Sequence, residues 1–267
     1  VILAGVLLKM GTYGLLRISY PLLPGEVIGF AYTLAILGVI NILWGALNAI
    51  AQIDMKKMVA YSSVSHMGYV LLGMASVVST STAGAQAGLN GAVMQMFNHG
   101  TITAMLFLLV GVLYDQAHHR WIVYPDNYKN QEKAGKLAFG GLATQLPIFN
   151  AMIIIAFFAG LGLPALSGFI SEALCFIGGF SAFRTITIIG TLGILLNAIY
   201  FLRAYQRVFT GKLNEEYKNL KDINNRELIT VIPIAIIVLL FGVYPAPLVN
   251  LISPAIDSLI QLIQFNL

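Results

Sequence analysis

The stretch QLPIFNAMIIIAFFAGLGLPALSGFISEALCFIGGF, residues 145–180, is apolar almost from end to end and contains no polar turn. About 20 apolar residues cross the hydrocarbon layer of a bilayer as one α-helix, so this stretch is long for one crossing and short for two. Gly160, Gly162, Pro164 and Gly168 interrupt its middle. Because proline removes a backbone donor and clashes with the preceding helical turn, the stretch predicts either one broken crossing or two short ones.

The whole chain has the composition of a membrane protein. Of its 267 residues 58% are hydrophobic and 10% are charged, whereas about 25% are charged in an ordinary soluble domain. The formal net charge of +4 is what basic loops on one side of a membrane produce, so the composition indicates a lipid bilayer and not nucleic acid as the partner. These features predict an all-α polytopic membrane protein.

Further apolar runs are long enough to cross the membrane, and they occupy residues 1–20, 27–51, 58–78, 88–114, 186–202 and 228–251. Residues 252–267 alternate apolar and polar positions, which predicts a tail along the outer membrane interface. The chain opens on Val1 with an apolar run already under way, which indicates the C-terminal portion of a longer protein.

Loop charges decide how the broken stretch is counted. Most lysines and arginines fall in three loops, namely Lys56 and Lys57; Arg120, Lys129, Lys133 and Lys136; and Arg203, Arg207, Lys212, Lys218, Lys221 and Arg226. By the positive-inside rule all three loops lie on the cytoplasmic or equivalent side, so an even number of crossings separates the second loop from the third. Run 186–202 supplies one crossing, and 145–180 therefore supplies only one more, broken near Pro164. Seven transmembrane helices result, with the C-terminus on the outer side.

Four ionisable side chains lie inside the predicted crossings, and they are Lys9, His66, His99 and Glu172. An ionisable group in hydrocarbon costs several kcal/mol, so it normally faces a bundle interior or a hydrated cavity and marks an ion pathway. By the helical rise the first three lie about 17–18 Å from the outer ends of their helices, and Glu172 about 12 Å. A row at one depth, built from groups that titrate near neutrality when buried, predicts a lateral proton relay.

Structural roles remain open for each of these residues. Either histidine can act as a core group that holds helices together, with Ser62 one turn before His66 as a candidate partner. Lys9 and Glu172 can belong to a structural ion pair, although buried pairs contribute little stability. The break near Pro164 can be a packing kink, because proline and glycine are common in membrane helices.

Other features point away from redox chemistry. Cys175 is the only cysteine, and no haem, Fe–S or glycine-rich phosphate motif is present, so no cofactor or redox centre is expected in this chain. His118 and His119 have no third ligand nearby, and we therefore expect a solvated loop there and no metal.

Four motifs resemble those of the M-type antiporter-like membrane subunits of respiratory complex I, the NADH:quinone oxidoreductase. They are LAGVLLKMGTYGLLR at 3–17, AQIDMKKMVAYSSVSHMGY at 51–69, QMFNHG at 95–100 and LGLPALSGFISE at 161–172. The resemblance covers nearly the whole chain. It implies a fold of fourteen transmembrane helices with two inverted five-helix repeats, of which this chain is similar to helices 8–14.

This resemblance implies a division of the chain. Residues 1–20 would be the last helix of the first repeat, 27–209 the second repeat with its broken helix at 145–180, 228–251 the final transmembrane helix and 252–267 the outer tail. The family's lysine–glutamate pair on its fifth and seventh helices would precede this sequence, which then holds half of a proton pathway.

The resemblance also assigns roles by position. Lys9 matches the central lysine of the family's eighth helix, His66 and His99 match its connecting histidines, and Glu172 matches the terminal acid of the broken twelfth helix. The sister L-type and N-type subunits usually carry lysine at that last position, so Glu172 favours the M type.

The function implied is proton translocation in a membrane-arm subunit of a proton-pumping NADH:quinone oxidoreductase, in a bacterial inner membrane or, alternatively, an organellar one. Its expected partners are the L-type and N-type antiporter-like subunits. The alternative functions are a subunit of a multisubunit cation/proton antiporter or of a membrane-bound hydrogenase, and, in another class, a structural scaffold.

Overall fold

A computed structural model describes residues 1–126 and 133–265. Apart from two isolated β-bridges, the regular structure of these residues is helical. The α-helices are α1 (Leu8–Gly14), α2 (Tyr20–Leu22), α3 (Pro24–Ala51), α4 (Met55–Ala75), α5 (Thr82–Ala117), α6 (Leu142–Gln145), α7 (Pro147–Leu161), α8 (Ser167–Ala182), α9 (Arg184–Gly190), α10 (Leu192–Phe209), α11 (Asn225–Val243) and α12 (Ala246–Gln264). Two π-helical turns, Leu3–Leu7 and Leu15–Ser19, flank α1 and continue it into one long helix.

The stretch at 145–180 is a broken helix, as the sequence predicts. Helix α7 ends at Leu161, where Gly162 adopts a left-handed conformation with φ of +81°. The Gly162 N–H donates to the Ala159 carbonyl and the Leu163 N–H to the Phe158 carbonyl, which is the hydrogen-bond pattern of a Schellman cap. Helix α8 then resumes after a short link.

The three basic loops meet on one face of the bundle. Asp54, at the start of α4, accepts a 2.8 Å hydrogen bond from Arg120 in the second loop. The hydroxyl groups of Tyr124 in the second loop and Tyr217 in the third lie 2.9 Å apart. An even number of crossings therefore separates these loops, which confirms that α7 and α8 count as one crossing. Lys129, which belongs to the predicted second loop, lies outside the described residues.

The opposite face carries the loops with few basic residues. The Ser181 hydroxyl in the last turn of α8 donates a 2.9 Å hydrogen bond to the Ser79 hydroxyl before α5. In the described part of the chain, five helices are long and apolar enough to span a membrane by themselves, and they are Pro24–Ala51, Thr82–Ala117, Arg184–Phe209, Asn225–Val243 and Ala246–Ile263. Together with the first helix, α4 and the α7–α8 pair, they support the predicted polytopic all-α fold.

The last crossing differs from the single helix expected at 228–251. Helix α11 ends at Val243 and α12 begins at Ala246, so the helix is interrupted at Tyr244 and Pro245. Along α12, Ser253 bonds Asn90 and Asp257 bonds Gln86, which places α12 beside the outer half of α5. Each of the two helices is also long and apolar enough to span a membrane by itself, so the count of seven crossings stays a prediction at this end of the chain. The interfacial placement of 252–267 stays a prediction, and its residues 266–267 lie outside the described residues.

Close backbone contacts hold the helices together. A Cβ atom added at Gly178 of α8 would lie 2.5 Å from the Gly88 nitrogen of α5, and one added at Gly68 of α4 would lie 2.5 Å from the Gly38 carbonyl oxygen of α3. Small residues at such crossings let helix backbones approach closely, which is how membrane helices gain packing energy. The apolar runs therefore assemble through glycine seams between α3, α4, α5 and α8.

His119 does not lie in a solvated loop, and that part of the prediction is wrong. Its ring stacks on Phe139 with 4.6 Å between ring centroids and on Trp121 at 5.3 Å, and it shares a hydrogen bond with the Tyr217 hydroxyl. His118 beside it is exposed and ends α5 with a φ of +57°. His119 is therefore a half-buried member of an aromatic cluster on the basic face. Among the residues that the structure describes, no group of three potential metal ligands exists.

The seven-crossing topology predicts the accessibility of two exposed positions. In the full-length protein, cysteine at Thr80 should react with an impermeant thiol reagent from the outer side, and cysteine at Lys218 only from the inner side, because the positive-inside rule places the basic face inward. Labelling of intact cells and of inverted vesicles measures this. Labelling of both positions from one side would contradict the topology.

Burial should make the His119 cluster sensitive to acid. Burial lowers the pKa of His119 below its ordinary value of 6.5, the nearby Glu216 carboxylate opposes this shift, and Lys133 adds to it. The folded cluster thus binds protons less readily than the unfolded loop, so its stabilising effect is complete above pH 6.5 and is lost as the pH falls below that value.

The part of the tryptophan fluorescence that is removed by Trp121→Phe reports this transition. We expect this emission to fall with a midpoint below pH 6.5, since a protonated imidazole stacks against the Trp121 ring. His119→Gln should abolish the pH dependence, and His118→Gln should keep it. A midpoint above pH 6.5 would contradict the assignment.

Candidate functional site

Lys9 lies in the first helix with its ammonium turned back along the chain. The side chain is buried, and its ammonium donates to the carbonyl oxygen of Ala4 in the preceding π-helical turn. Lys9 lines an apolar groove of about 500 Å³ between the first helix and α5. Its Cε lies near Gly100, where an added Cβ atom would be 3.9 Å away from it. Gly100 is the residue that follows His99 on α5, so Lys9 approaches α5 next to His99.

His99 and His66 form a pair in the bundle interior. Their ring centroids are 5.2 Å apart, and both side chains are buried. None of their four ring nitrogens has a hydrogen-bond partner among the described residues. Lys9 approaches this pair beside Gly100, the neighbour of His99 on α5. The spatial order is therefore Lys9, His99, His66, which differs from the order in the sequence.

Glu172 completes the row on the first turns of α8. Its Oε1 lies 3.1 Å from Nδ1 of His66, which is ion-pair distance, although the two groups are not aligned as a hydrogen bond. The other carboxylate oxygen faces the helix break, since a Cβ atom on Gly162 would lie 2.9 Å from Oε2. The acid thus contacts the histidine pair on one side and the break on the other.

A small cavity joins three of the four predicted residues. His66, His99 and Glu172 line it, together with Gly160 and Gly168 from the two halves of the broken helix. The volume open to the centre of a water molecule is about 10 Å³, which is roughly the space that one water molecule needs. The helix break therefore faces the same cavity as three of the four titratable side chains.

Uncharged polar residues around Glu172 were missed by the sequence analysis. The Asn98 amide donates to the Ser167 carbonyl at 2.8 Å and to the Ser171 hydroxyl at 3.1 Å, and the Ser171 hydroxyl also bonds Gln95. This network fixes the start of α8 against α5, directly beside Glu172. The sequence contained a weak signal for Asn98, because it is an amide residue within an apolar run and lies next to His99.

Ser62 does not bond His66, so the candidate partnership is wrong. Its hydroxyl donates to the Val59 carbonyl of the preceding turn at 2.8 Å, as serine hydroxyls inside helices commonly do. Ser62 nevertheless lines the cavity. The histidine pair therefore lacks the hydrogen bond that a purely structural histidine would be expected to make.

Comparisons with known proteins agree with this architecture. Residues 1–199 match the family model described as NADH:quinone oxidoreductase/Mrp antiporter, TM. The chain is 38% identical over 261 residues to NADH-quinone oxidoreductase subunit M of Rickettsia conorii, covering 97% of this chain and 49% of the relative. It is 40% identical to NAD(P)H-quinone oxidoreductase chain 4 1 of Synechococcus elongatus, covering 100% of this chain and 47% of the relative. The chain thus spans about half the length of these curated relatives.

Solved structures share the fold. Respiratory complex I from Thermus thermophilus with bound NADH contains a chain that matches with a TM-score of 0.84 and 29% identity, covering 96% of this chain and 50% of that one. The Mrp complex from Dietzia sp. matches with a TM-score of 0.76 at 17% identity, covering 96% of this chain and 53% of that one, and so shows the fold alone. Given the family match over most of its residues, this chain belongs to the NADH:quinone oxidoreductase/Mrp antiporter transmembrane family.

Proposed function

We propose that this chain translocates protons as part of a membrane-arm subunit of an NADH:quinone oxidoreductase, a proton-pumping translocase. One observation carries the proposal: His66 Nδ1 lies 3.1 Å from the Glu172 carboxylate, in a cavity that also includes His99 and the break of a membrane helix. Intramembrane groups of this kind mark ion and proton pathways. The ring nitrogens of His66 and His99 have no hydrogen-bond partner in the described part of the chain, so they are free to exchange protons.

The geometry supports a relay in a defined order. A proton passes from Lys9 to His99, then to His66 and on to Glu172. Imidazole suits the two middle positions because it can accept a proton at one ring nitrogen and release another from the second. The gaps exceed a direct hydrogen bond between the rings, so water in the cavity carries the proton between them.

The relatives support the larger assignment. Several are named NADH-quinone oxidoreductase subunit M, and the Thermus thermophilus match lies in a respiratory complex. In this proposal the partners are L-type and N-type antiporter-like subunits, and the location is the inner membrane of a bacterium. The proposal also keeps 1–20 as the end of a first repeat and 27–209 as a second five-helix repeat.

A second candidate is a subunit of a multisubunit cation/proton antiporter or a membrane-bound hydrogenase. The membrane-bound sulfane sulfur reductase match, with a TM-score of 0.77 and 26% identity, and the Mrp complex are both lower in TM-score and identity than the complex I match. Purification of the native assembly discriminates between them, because only the first function requires NADH oxidation to copurify with this chain. An assembly without that activity would favour the second.

Replacing Lys9 tests the entry to the row. Lys9→Ala should reduce proton pumping by roughly tenfold or more at normal assembly, since positioned proton-transfer groups contribute factors of about 10²–10⁴. Lys9→Arg should also fail, because guanidinium keeps its proton at any relevant pH. Proton uptake into vesicles during NADH oxidation measures this, with Lys57→Ala, an exposed lysine, as the matched control. Normal pumping by the arginine variant would make Lys9 a fixed charge.

Replacing Glu172 separates proton exchange from packing. Glu172→Gln keeps the shape but removes the acid, so pumping should be largely lost, whereas Glu172→Asp should retain part of it because a titratable carboxyl group remains. The same vesicle assay gives the order wild type, Asp, Gln, and Glu26→Gln at the exposed start of α3 serves as the control. Wild-type pumping by the glutamine variant would remove Glu172 from the pathway.

A further inference from the structure

The link between α7 and α8 has an unusual backbone. Besides Gly162, the link contains Ala165 with φ of +75°, and among the described residues only His118 is another non-glycine residue with positive φ. L side chains rarely adopt this conformation, and it persists where the surrounding structure holds it in place. The link therefore needs an external contact that fixes it.

Gly242, the second-last residue of α11, supplies that contact. It is buried against the link, and a Cβ atom there would touch the Ala165 carbonyl oxygen and lie 2.5 Å from Cα of Leu166. These are backbone atoms, which cannot rotate away as a side chain could. Only glycine fits at 242 without moving either the link or α11.

Helix α11 is itself fixed on both sides of this contact. Phe241 packs edge-on against Phe97 of α5, with ring centroids 5.6 Å apart. Beyond the interruption at Tyr244 and Pro245, α12 is bound to α5 through Ser253 with Asn90, and further out through its Asp257. The end of α11 thus has a defined position relative to the helix that carries His99.

The link reaches the titratable row through Gly162. This residue lies so close to the Glu172 carboxylate that a Cβ atom would be 2.9 Å from Oε2. We propose that Gly242 is a positioning residue for Glu172: by packing on Ala165 and Leu166 it holds the link in the form that places Gly162 against the carboxylate. This inference rests on the proposed role of Glu172 in proton transfer.

The experiment uses the full-length protein in its native assembly and has two readouts. The first is the labelling of Leu163, an exposed residue of the link, by a lipid-soluble photoreactive carbene reagent, which inserts into C–H bonds within the hydrocarbon layer and is read out by peptide mass spectrometry. The second readout is proton pumping at equal assembly.

Gly242→Ala should change the labelling of Leu163 severalfold and lower pumping severalfold. Gly111→Ala is the matched control, because a Cβ atom there meets nothing within 4 Å, and it should alter neither readout. Ala165→Gly adds no atoms and relieves the strain of the positive φ, so the link should keep its form, with labelling and pumping near the wild-type values.

The outcomes are distinct. Unchanged labelling in Gly242→Ala, or changed labelling in Ala165→Gly, would overturn the inference, as would changed labelling in Gly242→Ala with normal pumping while Glu172→Gln is impaired. Normal pumping by Glu172→Gln would instead overturn the proposed function, and the labelling would still report whether Gly242 controls the link.

Discussion

Every feature of the site depends on one constraint: a helix broken inside hydrocarbon must find partners for the backbone groups that the break sets free. Lipid offers none, and each unsatisfied group costs several kcal/mol. Here the Schellman cap at Gly162 satisfies part of α7, Asn197 reaches the Gly160 carbonyl, and Asn98 satisfies the Ser167 carbonyl. Polar side chains are thereby drawn to the middle of the membrane, and Glu172 lies among them.

The same constraint explains why the titratable groups cluster where they do. His66 and His99 come from α4 and α5, the two helices that pack against α8 and its break. A cavity large enough for about one water molecule is tolerable there because polar side chains such as His66, His99 and Glu172 are among the residues that line it. Lys9 lies beside this cluster, and its ammonium donates a hydrogen bond to the Ala4 carbonyl of its own helix.

Much of this was predictable from the sequence, and the failures have physical reasons. Charged residues in apolar runs are costly enough to stand out singly, so Lys9 and Glu172 were found directly, and loop charges gave the crossing count. Their spatial order was not readable, because it depends on which helices become neighbours. Asn98 belongs to a polar network whose members are uncharged and cost little in a helix. His119 was misjudged because its aromatic partners, such as Phe139 and Tyr217, come from separate loops.

The glycine seam between α4, α5 and α8 has an electrical consequence. Gly73, Gly88 and Gly178 bring these backbones into contact on the outer side of Glu172, with no room for a solvent column between them. Such a layer insulates, so part of the transmembrane voltage falls across it. Moving one elementary charge through the full potential costs about 2.3 kcal/mol per 100 mV, and in the proposed relay a proton held at Glu172 would still have to do part of that work. The seam would then keep charge from leaking back while the membrane is energised.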